Sequence, residues 1–184
     1  MMPVARLRRA YFDCRYGQLH LHQAIPPGGG FDEATALLCI PGTQGTGAFF
    51  QPLLGPVGAD RSIYAPDLPG YGQSDAAGQP AGVEQYALAF LDLLDSLRQR
   101  RVDVLAYAAG ADITIALAKL RPDTLVRRVV FAAPPPGALE TVRQLGIECR
   151  ELPLAGPAEE LLTATSVNSQ FNDLIEFLGA AAQA

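Results

Sequence analysis

The sequence predicts an α/β protein: a mainly parallel sheet flanked by helices on both faces. Three observations lead there. Thr35 to Ile40 (TALLCI) is an unbroken apolar run, as in a strand buried on both faces. Val83 to Gln99 places Leu88, Leu91, Leu94 and Leu97 at a spacing of three, an apolar helical stripe. Segments of these two kinds then alternate, and strands joined through helices form parallel, right-handed crossovers. The chain has 184 residues, 49% apolar and 18% charged, enough for one domain over 1–184 with a sizeable core.

The elements are expected in the following order. Ala10 to Cys14 and Gln18 to Gln23 form two short strands joined by Arg15-Tyr16-Gly17, an antiparallel edge to the sheet. In the second, Leu19 and Leu21 alternate with His20 and His22, the pattern of a half-exposed strand. After the loop Pro26 to Gly30 comes the strand Thr35 to Ile40, then the glycine-rich turn PGTQGTG and a short helix from Phe49 to Leu54. Ser62 to Pro66 is a strand that ends in the loop DLPGYGQSD. The helix Val83 to Gln99 leads to a strand at Val102 to Ala106, a helix at Ala109 to Leu120 and a strand at Arg128 to Ala132. Pro134 to Gly137 stops that run. A short helix (Ala138 to Leu145), a strand (Cys149 to Leu152) and a closing helix (Asn168 to Ala182) complete the chain.

Composition excludes several function classes. The net charge of −5 argues against nucleic-acid binding, which requires clustered Lys and Arg on one face. The short basic run Arg6 to Arg9 reads as a solvated end. Cys14, Cys39 and Cys149 are sparse and lack a C-x-x-C pair, as expected of reduced thiols in a cytoplasmic protein. MMPVARLRRAYFD has no apolar core of a secretory signal, and no apolar run is long enough for a membrane span. His20 and His22 share one strand face, but two ligands without a third make no metal site, and no carboxylate stands near them in the sequence. The expectation is an exposed strand face, with no metal and no cofactor.

Four segments, in this order and spacing, resemble the α/β hydrolases: LLCIPGTQGTGAFFQPLL, YAPDLPGYGQSD, VDVLAYAAGADITIALAKLRPDTLVRRVVFAAPP and the opening YFDCRYGQLHLH. The first is similar to the strand and oxyanion loop, the second to the D-x-P-G-x-G-x-S-D loop, and the third to the nucleophile elbow with its helix and next strand. The resemblance covers about Tyr11 to Pro135 and implies a truncated hydrolase-like sheet, with the cap and one late strand missing between Val130 and Cys149.

That resemblance also locates what the chain lacks. The elbow G-x-S-x-G is here Ala106-Tyr107-Ala108-Ala109-Gly110, with Ala108 at the nucleophile position. The resemblance implies a histidine loop after Glu151-Leu152-Pro153, where Leu154 to Glu159 contains none. The family's acid has no place in PPPGALETVRQLGIE, so no catalytic residue is assigned. The oxyanion donors map to the backbone of Ala109 and Thr43, within a pocket formed by Gly42, Thr43, Gln44, Tyr107, Ala108 and Ala109 that would take a small carbonyl or carboxylate ligand. Tyr107 is expected in core packing, Cys39 as an inert buried thiol, and Asp67, Ser74, Asp75 and Asp112 in structural roles. The functional expectation is an inactive hydrolase-like protein, or pseudoenzyme, acting as a ligand-binding or interaction module. It would pair through its uncapped face with a second copy or a protein partner. The alternative is a family enzyme, an ester or thioester hydrolase or one using non-covalent chemistry, with an unorthodox site at the elbow.

Overall fold

The structure, a computed structural model, describes residues 4–29, 34–42, 45–77, 81–152 and 167–179, with side chains from 172 onward in the last segment. In chain order these are β1 (Arg6–Cys14), β2 (Gly17–Ile25), β3 (Leu37–Ile40), a 3-10 turn (Gly47–Phe50) running into α1 (Gln51–Gly58), and β4 (Ile63–Pro66). Next come α2 (Val83–Ser96), β5 (Val102–Tyr107), α3 (Gly110–Leu120), β6 (Val126–Ala132), α4 (Ala138–Gln144), β7 (Glu148–Leu152) and α5 (Val167–Gly179).

The strands form one seven-stranded sheet in the order β1-β2-β4-β3-β5-β6-β7. β1 pairs antiparallel with β2, and β2 with β4. From β4 to β7 every pairing is parallel, as the helical crossovers require. β7 pairs directly with β6 through a crossover at 133–147 that holds α4 and turns, so no cap is inserted there.

Strand alternation splits the core into two layers. Leu38 and Ile40 join α2, α3 and α4 through Phe90, Leu93, Leu117 and Val142. Leu37 and Cys39 join α1 and α5 through Leu53, Leu54, Val57, Leu174 and Leu178. Burial pushes the Cys39 thiol pKa well up, so this cysteine acts as a core hydrophobe. The α2 stripe differs from expectation. Ala87, Ala89, Phe90, Leu93 and Leu94 are its buried residues, whereas Leu88, Leu91 and Leu97 are half-buried. A spacing of three drifts about 60° around the helix at each step, so a strict i+3 series leaves the face it starts on.

At the far end of the sheet, the β5–β6 register jumps between Val102↔Val126 and Asp103↔Arg128, leaving Arg127 as the extra residue of a bulge. Both arginines can then reach the end of α5. Arg127 donates to the Leu178 carbonyl at 2.8 Å and Arg128 to that of Phe177 at 2.7 Å, satisfying the open end of the helix. Fully buried Asp103 accepts from Arg127 at 2.7 Å and from fully buried Arg61 at 3.3 Å, which makes this end a structural ion cluster.

Candidate functional site

The carboxyl ends of β3, β4 and β5 meet at two turns. The first is the sharp turn from β5 into α3. Ala108 sits at its apex with φ +47°, the left-handed region, which an alanine occupies at a cost of about 1–2 kcal/mol. Its neighbours hold it there. The Ala108 N–H donates to the Ala132 carbonyl at 2.9 Å, and its own carbonyl accepts from Ala111 at 3.0 Å. A Cβ on Gly110 would stand 2.6 Å from the Ile40 carbonyl oxygen, so only glycine lets α3 start this close to β3. A Cβ on Gly42 would stand 2.9 Å from the Tyr107 carbonyl oxygen and 3.2 Å from the Ala108 methyl.

The structure therefore brings Gly42, Tyr107, Ala108 and Ala109 together, while Thr43 and Gln44 lie outside the described residues. Tyr107 is half-buried and packs on Phe49, with ring centroids 4.5 Å apart. Ala109 is exposed at the N-terminus of α3, and no described carbonyl accepts its N–H. The helix start offers N–H groups and partial positive charge around a methyl group, part of which the Asp112 carboxylate in the first turn offsets. That arrangement can hold a carbonyl or carboxylate oxygen, and the Ala108 side chain supplies no attacking atom.

The second turn is the loop after β4, built around Asp67. Its Oδ1 accepts the Gly47 N–H at 2.7 Å and its Oδ2 the Gln73 N–H at 3.0 Å, and Oδ2 also lies 2.9 Å from His20 Nδ1. Ser74 Oγ accepts the His20 N–H at 2.9 Å and donates to the Asp67 carbonyl at 3.0 Å. Asp75 accepts the Gln18 N–H at 2.8 Å. This loop straps β2 to the turn after β3, the structural role expected of Asp67, Ser74 and Asp75.

The histidines correct the sequence reading. His20 and His22 are 2% and 7% exposed, and the face expected to meet solvent is covered. α1 covers it on one side, with Gln51 Nε2 3.3 Å from His22 Nδ1. The Asp67 loop covers the other side. The carboxylate missing from the neighbourhood in sequence is Asp67, delivered by antiparallel pairing in which Leu21 faces Pro66. Burial, then the neighbouring His20, lowers the His22 pKa below the ordinary histidine value. The signal that could have found this cluster is the loop DLPGYGQSD, long enough to fold back over β2.

Residues 37–182 match the family described as "Alpha/beta hydrolase family". The chain belongs to the α/β hydrolase family. It is 30% identical over 143 residues to the putative carbamate hydrolase RutD of Stutzerimonas stutzeri (strain A1501), a match covering 75% of this chain and 51% of that protein. Among solved structures, it is similar to the N-acyl homoserine lactonase AidH in complex with N-hexanoyl homoserine. That likeness has a TM-score of 0.62 and 28% identity, and covers 76% of this chain and 49% of the other. The Bacillus subtilis carboxylesterase CesB shares the fold at TM-score 0.59 and 20% identity, covering 70% of this chain and 46% of that one. The chain spans about half the length of the relatives it matches. The turn from β5 into α3, which the resemblance of its sequence aligns with the family's nucleophile elbow, carries a methyl at its apex.

Proposed function

We propose that this chain is a non-catalytic member of the α/β hydrolase family that binds a small carbonyl or carboxylate ligand over Ala109. Ala108 carries this reading. The backbone keeps a left-handed φ of +47° at the apex, yet the side chain is a methyl, which forms no covalent intermediate. The N–H groups at the start of α3 do not depend on side-chain identity and still suit an oxygen ligand. The ligand class is further supported by the lactonase AidH, whose complex holds N-hexanoyl homoserine, an amide with a carboxyl group.

The test is titration with N-hexanoyl homoserine, followed by calorimetry and by amide shifts at Ala109 and Gly110. The reading expects saturable binding that Ala108→Leu removes by filling the turn. Absence of binding, or binding that Ala108→Leu leaves intact, contradicts it.

The names of the relatives, a putative carbamate hydrolase and a lactonase, support a second reading, an enzyme that hydrolyses esters or thioesters or uses non-covalent chemistry at the elbow. Turnover of short-chain esters, thioesters or lactones that Ala108→Leu abolishes would establish that instead. The uncapped crossover at 133–147 further leads us to propose self-association over the carboxyl ends of the strands. Light scattering that finds only monomer at high concentration would remove that part.

A further inference from the structure

The hydrogen bonds at the β2–β4 junction leave one polar atom unused. His20 Nε2 is buried without a partner, while the other ring nitrogen is held by Asp67. The Nδ1 atom of His20 and Oδ2 of Asp67 stand 2.9 Å apart, close to the separation of two donors that share one metal ion. Beside the His20 ring stand a second buried imidazole and a buried carboxylate. One ligating atom from each of His20, His22 and Asp67 lies within 4.8 Å of the other two.

Two imidazoles and a carboxylate are the donor types that zinc and its neighbours take, with bonds of about 2.0–2.2 Å. Two donors on one tetrahedral ion lie about 3.4 Å apart, so the widest pair, within 4.8 Å here, has to close by up to about 1.4 Å. An entry path exists as well. A cavity of about 400 Å³, lined by Arg8, Arg9, His22 and Gln51 together with Leu7 and Leu54, opens onto His22. Its two arginines oppose a cation, so the hold is weaker than the donor set alone would give.

We propose that His20, His22 and Asp67 form a binding site for one zinc-class divalent metal ion. The site is separate from the elbow and does not depend on whether the elbow binds a ligand. Metal-free, reduced protein is titrated with Zn²⁺ by calorimetry and with Co²⁺ by visible absorption. One equivalent should bind, with cobalt bands of a nitrogen and oxygen environment. His22→Ala and His20→Gln should each weaken binding about tenfold or more, and Cys14→Ser with Cys149→Ser should not. Circular dichroism checks the fold of each variant. If His20→Gln is unfolded, His22→Ala decides alone, because it leaves the Asp67 hydrogen bonds in place. No saturable binding, or binding unchanged in His22→Ala, overturns the proposal.

Discussion

The elbow and the Asp67 loop both follow strands of the same sheet, yet they are built from opposite materials. The elbow is fixed by main-chain hydrogen bonds and by residues small enough to let backbones touch, with Gly110 against Ile40 and Gly42 against Tyr107. The Asp67 loop is fixed by side chains, since one carboxylate gathers two backbone N–H groups and an imidazole. Among the described residues the first offers backbone donors, whereas two buried histidines, a buried carboxylate and the Ser74 hydroxyl gather at the second. A turn held by its backbone can lose a side chain without losing its shape.

Breaking the side-chain turn should have the largest effect. Asp67→Ala leaves the buried Gly47 N–H, the part-buried Gln73 N–H and His20 unpaired and should cost about 3–5 kcal/mol, measured as a lowered urea midpoint. A loss under 1 kcal/mol would mean that water or a neighbour takes over its bonds. Breaking the backbone turn comes next. Gly110→Ala drives a methyl toward the Ile40 carbonyl oxygen at 2.6 Å and should cost about 2–3 kcal/mol. Ala109→Ser, at an exposed position in the same turn, should stay within about 0.5 kcal/mol.

His22 sharpens the comparison through pH. Its folded pKa lies below the unfolded value, so the unfolded chain binds the proton first as pH drops. Its contribution is fully present above the unfolded pKa and is lost as pH falls below about 6.5 toward the folded pKa. Wild type should therefore lose stability faster than His22→Gln over that window, and parallel curves would contradict the burial of this ring. Ala108→Gly should have a small effect of the opposite sign. Relief of the left-handed alanine should raise stability by about 1 kcal/mol, seen as a higher melting temperature.

The fold was legible in the sequence because its strongest signals are local. TALLCI reads as a buried strand whatever surrounds it, and every expected strand and helix appears among the described residues with ends moved by a few residues. The expected stretch 180–182 of the closing helix lies outside them. The elbow was legible because Ala-Ala-Gly after an apolar strand is itself the packing device. His20 and His22 were misread because their burial is decided by residues far along the chain. Gln51 of α1 and Asp67 of the loop reach them only through tertiary contacts, and alternation with Leu19 and Leu21 imitates an exposed face. The i+3 leucines of α2 misled for a related reason, since position on a helix follows the 3.6-residue turn and not the residue type.

The central claim is that the elbow of this α/β hydrolase family member binds but does not catalyse. The most direct measurement is hydrolysis of short-chain esters, thioesters and N-hexanoyl homoserine lactone by wild type beside Ala108→Leu and Ala108→Ser. The account predicts background rates in all three, because a serine hydroxyl alone still lacks a base: both histidines of the sequence lie on β2. Wild-type turnover well above background that Ala108→Leu abolishes would contradict it.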